Sequence, residues 1–192
     1  MQNAKATCDG ACHGGAHDHQ QFERSTEALM AEHRIIETVL EALEKLARAA
    51  ETSALADWAK AVDFLRNFAD KCHHLKEEKL LFPALEEHGI PREGGPIGMM
   101  LAEHEEGRGF VRAMAAAVDA GARDVLRREA TAYIRLLRQH ILKEDEVLFQ
   151  MADSILSAEE QQKLLHDFEE HELREIGPGF HEKYLQIARD LT

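Results

Sequence analysis

Two stretches of this sequence repeat one another, and both carry a histidine followed four residues later by a glutamate. His73-His74-Leu75-Lys76-Glu77-Glu78-Lys79-Leu80-Leu81-Phe82 matches His140-Ile141-Leu142-Lys143-Glu144-Asp145-Glu146-Val147-Leu148-Phe149 at an offset of 67 residues. A second pair, Met30-Ala31-Glu32-His33 and Leu101-Ala102-Glu103-His104, recurs at an offset of 71. The order of the motifs predicts two helical hairpins related by a pseudo-twofold. Each hairpin supplies one histidine from its first helix and a His-x-x-x-Glu from its second.

Helical periodicity surrounds these motifs. Between Phe22 and Ala50, the residues Leu29, His33, Ile36, Leu40, Leu43 and Ala47 step by fours and threes, which is one face of a helix. Ser53 reads as the N-cap of a second helix running from Ala54 to Glu87, with Pro83 expected to kink it or end its regular part. His88 to Pro96 is a loop by its Gly and Pro content. A third helix is predicted over Ile97–Asp119, with Gly121 at its C-terminal cap, and a fourth over Arg123–Leu156. Ser157 and Glu160 form a capping-box pattern opening a further segment, which ends near Gly177-Pro178-Gly179. A short helix over Phe180–Leu191 closes the chain. Ala, Leu, Glu, Lys and Arg dominate, and nothing reads as a strand. The expectation is an all-α four-helix bundle over residues 22–156, with short connections favouring antiparallel neighbours, and a C-terminal helical extension over 157–192 packed on it.

Helix phase identifies what faces inward. Val62, Leu65, Ala69, His73, Glu77, Leu80 and Ala84 share one face of the second helix. Ile97, Leu101, His104, Arg108, Val111, Ala115 and Val118 do so in the third, and Tyr133, Leu137, His140, Glu144, Val147 and Met151 in the fourth. Each apolar stripe is broken midway by His, or by His and Glu. An unpaired buried carboxylate costs several kcal/mol or titrates neutral. Two facing one another demand a cation between them. The same phase places His74 and Glu78 outward, beside Asn67, Asp70 and Lys71. Candidate metal ligands are therefore His33, His73, Glu77, His104, His140 and Glu144. Arg108, Glu37 and Tyr133 are expected to support them from behind. Arg108 either bridges to a core-facing acid such as Glu37 or Glu144, or orients a carboxylate or an exogenous ligand.

Composition removes other classes of function. A formal net charge of −13 disfavours a nucleic-acid partner and an anionic membrane surface. No apolar run approaches the roughly 18 residues of a membrane span, and the N-terminus lacks the apolar region of a secretory signal. The cysteines Cys8, Cys12 and Cys72 do not make a disulfide framework, so a reducing cytoplasm is the expected location. Residues 1–21 are polar, Gly-rich and aperiodic, and read as a disordered tail. Its Cys8, Cys12, His13, His17 and His19 suit a flexible polar segment, with capture of zinc, copper or nickel as the alternative. Cys72 reads as a small residue at the edge of the core or as a redox-sensitive thiol. His166, Glu170, His171 and His181 read as surface residues of the C-terminal helices.

At His33, His73-x-x-x-Glu77 with Leu81-Phe82-Pro83, His104-x-x-x-Arg108 and His140-x-x-x-Glu144 with Leu148-Phe149, the sequence resembles the hemerythrin-like, or HHE cation-binding, family. The resemblance runs from Ala28 to Met151, about two-thirds of the chain. It implies an up-and-down four-helix bundle around two irons joined by an oxo or hydroxo bridge. The four histidines would be terminal ligands and Glu77 and Glu144 bridging ones, with manganese or zinc as alternative ions. Oxygen-carrying members resemble a set with a further histidine; here Arg108 stands one turn after His104, leaving His171 and His166 as candidates for a fifth. The His-x-x-x-Arg form resembles a subgroup linked to peroxide decomposition. Three functions follow: reversible binding of dioxygen or nitric oxide, decomposition of peroxide, or storage and donation of iron. The expected partner is a small diatomic or peroxide ligand, with the redox partner unidentified.

Overall fold

The structure is a computed structural model that describes residues 22–191. The tail carrying Cys8, Cys12, His13, His17 and His19 lies outside the described residues. Six helices make up the described chain, which contains no strand. They are α1 (Ser25–Arg48), α2 (residues 55–87), α3 (Pro96–Ala120), α4 (residues 123–155), α5 (Ala158–Glu175) and α6 (Phe180–Leu191). None is long and apolar enough to cross a membrane.

Local chemistry sets the helix ends. Pro96 occupies the first turn of α3, where its missing N–H costs nothing. Gly121 ends α3 in the left-handed region (φ +66°), and Ala122 N–H closes onto the Ala117 carbonyl. Ser157 and Glu160 form the predicted reciprocal cap of α5: the Glu160 carboxylate accepts from Ser157 N–H at 2.8 Å. Ser53 does not cap α2. Ala54 holds that position, and the Ser53 hydroxyl accepts from the buried Trp58 indole at 2.8 Å.

Two helices depart from α geometry at the repeated motifs. Within α2, Leu65–His74 and Glu77–Leu81 are π-helical; within α4, Glu144–Leu148 is. The wider i→i+5 turn shifts the phase of everything that follows. In α4 it turns Val147 out to 52% exposure and brings Leu148 into the core, correcting the inward placement of Val147. The helix also continues through Pro83 to Glu87. A proline ring clashes with the carbonyl four residues back in a regular helix, and the π turn just before Pro83 relieves that contact.

α1 to α4 pack as a ring, α1 on α2, α2 on α3, α3 on α4 and α4 on α1, with α3 and α4 the most extensive pair. Their interior holds two apolar clusters with a polar layer between. One contains Ile36, Ala69, Val111 and Leu137; the other contains Leu29, Leu81, Met100 and Leu148. In every helix of the ring, the inward His and Glu fall in sequence between members of the two clusters. α5 covers α1 and the Glu77–Leu81 turn, and α6 covers α1 and α2.

Candidate metal centre

The polar layer contains seven side chains. His33, His73, Glu77, His104, His140 and Glu144 are all buried, as helix phase requires. The seventh is His74, which is only 4% exposed. Its predicted outward placement is incorrect: the π-helical segment ending at His74 shifts the phase, and the two consecutive histidines both face the interior. Ligand atoms of His33, His73, Glu77 and Glu144 lie within 4.8 Å of one another, and so do those of His74, Glu77, His104 and His140. Glu77 belongs to both groups.

Four of the histidines are held the same way. Each Nδ1 faces a carboxylate on a neighbouring helix: His33 to Asp145 (2.6 Å), His73 to Glu32 (2.9 Å), His104 to Glu78 (2.7 Å) and His140 to Glu103 (3.0 Å). With Nδ1–H donating to the carboxylate, the Nε2 lone pair is left for the interior. Each Nε2 then lies against one of the two central glutamates. His33 and His140 are 3.3 and 3.1 Å from Glu144; His73 and His104 are each 3.5 Å from Glu77.

This second layer obeys the sequence repeat. Glu32 on His73 corresponds to Glu103 on His140, and Asp145 on His33 corresponds to Glu78 on His104. Lys76 and Lys143, also repeat-related, donate to Glu32 (2.5 Å) and to Glu103 respectively. Glu32/Glu103 and Glu78/Asp145 recur in the sequence at the same offsets as the ligands, and that recurrence is the signal that marks them.

Arg108 does not reach Glu37 or Glu144. It donates to Asp70 (2.8 Å) and to Glu78 (2.7 Å), and through Glu78 it supports His104. Glu37 stands outside the centre, paired with Arg34, which in turn binds Asp145. Tyr133 is buried beneath the layer. His166 is exposed and pairs with Glu170. His171 is buried rather than on the surface, but it belongs to neither group. Cys72 is buried, and burial together with Glu32 pushes its thiol well up, which is an inert setting.

The interior is electrostatically unresolved by protein groups alone. All four oxygens of Glu77 and Glu144, Nε2 of His33 and His73, and both nitrogens of His74 lack a hydrogen-bond partner. Burial, then the neighbouring Glu144, drives Glu77 well above the usual carboxylate range. Burial and His33 pull His73 down to about 3. Burial opposes charge on His140 too, but Glu144 and Glu103 outweigh it and raise the group to about 9. His104 and His140 bring their Nε2 atoms to 3.1 Å. Two nitrogens bound about 2.1 Å from one ion at a right angle stand about 3 Å apart, so this spacing suits a shared cation. The donor set, imidazole with carboxylate and no thiolate, suits iron, manganese or zinc.

Comparison with known proteins gives the same direction. The family model of the Hemerythrin HHE cation binding domain matches residues 24–152. Uncharacterized proteins of Mycobacterium bovis and Mycobacterium tuberculosis are 28% identical over 175 residues, covering 86% of this chain and 68% of theirs. No solved structure matches.

Proposed function

The chain belongs to the hemerythrin HHE cation-binding family, and from that premise we propose that it holds two irons and binds small oxidants at them. The four-helix ring is read as an antiparallel up-and-down bundle, because the order of the two apolar clusters reverses from each helix to the next. His33, His73 and Glu144 would hold one ion; His74, His104 and His140 would hold the other; Glu77 would bridge them. The observation that carries this reading is the orphaned carboxylate pair. Two fully buried glutamates with no hydrogen bond to any of their oxygens are tolerable only around cations.

When bound, such a pair of ions supplies redox chemistry and open coordination positions for dioxygen, nitric oxide or peroxide. The residues supply the rest. Asp145, Glu32, Glu78 and Glu103 fix the tautomer and ring orientation of four histidines. Phe149 stacks on His33 at 5.5 Å and Phe82 on His104 at 6.0 Å, closing the layer from the side of the second apolar cluster and excluding water there. Reversible ligand binding is the reading favoured here, and turnover of peroxide is the alternative that the test separates from it.

The test is metal content and visible absorption of the iron-loaded full-length chain, with and without Glu77→Ala and Glu144→Ala. Two irons per chain and a reversible oxygen or nitric oxide adduct support the proposal. Iron bound equally well by the double variant refutes the site, and rapid oxygen release from added peroxide assigns turnover instead.

A further inference from the structure

One carboxylate reaches toward the centre from outside the four-helix ring. Glu172 of α5 accepts from the Lys76 ammonium at 3.0 Å and from the Cys72 thiol at 3.7 Å. Lys76 also donates to Oε1 of Glu32 at 2.5 Å, and the other oxygen of that carboxylate, Oε2, holds His73 Nδ1 at 2.9 Å. The contacts run in one line, from Glu172 through Lys76 and Glu32 to His73. α5 begins at Ala158, beyond the residues 24–152 that the family model matches, so Glu172 lies outside that domain.

The repeat supplies a comparison within the same molecule. Lys143, Glu103 and His140 reproduce the inner three members of the line. Among the described residues the outer carboxylate has no counterpart: beyond Glu103, Lys143 meets only the Met99 thioether, at 3.8 Å. Burial accounts for the difference. Lys143 is partly exposed, so water shares its ammonium. Lys76 is buried, and Glu172 takes the place that water takes at Lys143. An ammonium has three donors. With Glu32 as its sole anion, Lys76 would draw the charge of that carboxylate away from His73.

We propose that Glu172 is a positioning residue for the metal centre: by sharing the buried Lys76 ammonium, it leaves Glu32 able to hold His73 in the tautomer and orientation that present Nε2 to the ion. The inference rests on the reading of the His/Glu layer as a metal centre. Charged groups linked by hydrogen bonds polarise one another along such a line. A carboxylate that keeps its charge holds Nδ1–H more strongly and makes the imidazole a better donor to a metal, and loss of such support costs about 10- to 100-fold in metal affinity. Glu172 acts through two other side chains, so its effect belongs at the lower end of that range.

The experiment uses the iron-loaded full-length chain and reads two quantities, iron affinity by competition with a chelator and the reduction potential of the bound iron. Glu172→Gln keeps an oxygen that accepts from Lys76 and removes only the charge. It should weaken iron binding ~10-fold and raise the potential, because a less basic ligand favours the ferrous state. Glu172→Asp retains the charge and should recover most of both. Phe168→Ala is the packing control: Phe168 anchors α5 in the second apolar cluster, and its truncation loosens the helix without removing a charge. Affinity and potential unchanged in Glu172→Gln overturn the inference and leave Glu172 a tether for α5. An equal loss in Phe168→Ala and Glu172→Gln that Glu172→Asp does not recover assigns the effect to docking and overturns it too. A wild-type chain that takes up no iron overturns the metal centre itself, a failure visible before any variant is made. Glu172 is partly exposed, so its substitutions leave the core intact.

Discussion

His74 lies flat against His104, ring centroids 3.9 Å apart and planes within 13°. The contact has no counterpart in the other half of the pseudo-twofold, because the repeat-mate of His74 is Ile141. The centre is therefore symmetric in four histidines, two glutamates and four supporting carboxylates, and asymmetric in one histidine. The asymmetry falls on the side of Arg108, which is the repeat-mate of Glu37 and carries the opposite charge.

Replacing His74 by isoleucine makes the two halves alike at this position. The isoleucine fills an apolar-compatible buried site, so the fold should survive. Iron content should drop from about two toward one per chain, because one group loses a donor and the other keeps all of its own. Metal analysis with circular dichroism checks this. Unchanged iron content would show that His74 packs against the centre without serving it.

The fold was legible because each inward stripe is long and regular outside the motifs. Leu29 to Ala47 and Tyr133 to Glu144 follow helical phase without interruption. What phase could not reveal was its own breakdown. The π-helical turns at Leu65–His74 and Glu144–Leu148 add residues per turn, and a fixed-period reading carried through them puts His74 outside and Val147 inside. Arg108 stood between two readings, and only the one in which it orients a carboxylate matches the structure. Its partners Asp70 and Glu78 lie on α2, and contact across helices leaves no periodic trace in one sequence. The supporting carboxylates did leave a trace, in the repeat, since Lys76 and Lys143 sit beside them at matched positions.

Removing the metal should destabilise the chain, and Glu77→Gln should reduce that loss. A ligand at about 1000 times its dissociation constant stabilises the native state by about 4 kcal/mol. Chelation removes this and leaves Glu77 facing Glu144 in a buried site, which is why Glu77 is driven toward its neutral form. The amide is neutral already. Metal-free Glu77→Gln should then melt at or above the metal-free wild type, while its metal-loaded form melts below the loaded wild type. Paired melting curves decide it; a variant less stable than wild type in both states would remove the repulsion from the account.

Lys76 and Lys143 share a repeat position but not an energy. Lys76 is buried and donates to Glu32 at 2.5 Å and to Glu172 of α5 at 3.0 Å, tying the C-terminal helix to the carboxylate that orients His73. Burial works against its charge, but Glu32 and Glu172 hold its ammonium above the usual lysine range. Lys76→Met leaves Glu32 buried with its cation gone, a loss of about 3–5 kcal/mol. Lys143 is 35% exposed at its side chain, and Lys143→Met should cost under about 1 kcal/mol. Urea unfolding of the two variants measures the difference, and equal midpoints would mean that burial does not separate them.

The pH dependence of α5 should be readable through Glu160. Its carboxylate accepts from Ser157 Oγ at 2.6 Å and Ser157 N–H at 2.8 Å, and it pairs with His88 at 2.7 Å. Ser157 first, then His88, lowers its folded-state value to about 2 from an ordinary 4.5. A group whose folded value lies below its unfolded one favours folding fully above the unfolded value. That contribution drains away as pH falls from about 4.5 toward about 2. Glu160→Gln keeps a side chain of similar shape that does not titrate. The melting temperatures of wild type and variant should therefore differ most near neutral pH and converge as pH is lowered through this window. Taking the difference between the two proteins cancels the titration of the many other carboxylates. A gap that stays constant with pH would place the cap's contribution in shape and not in charge.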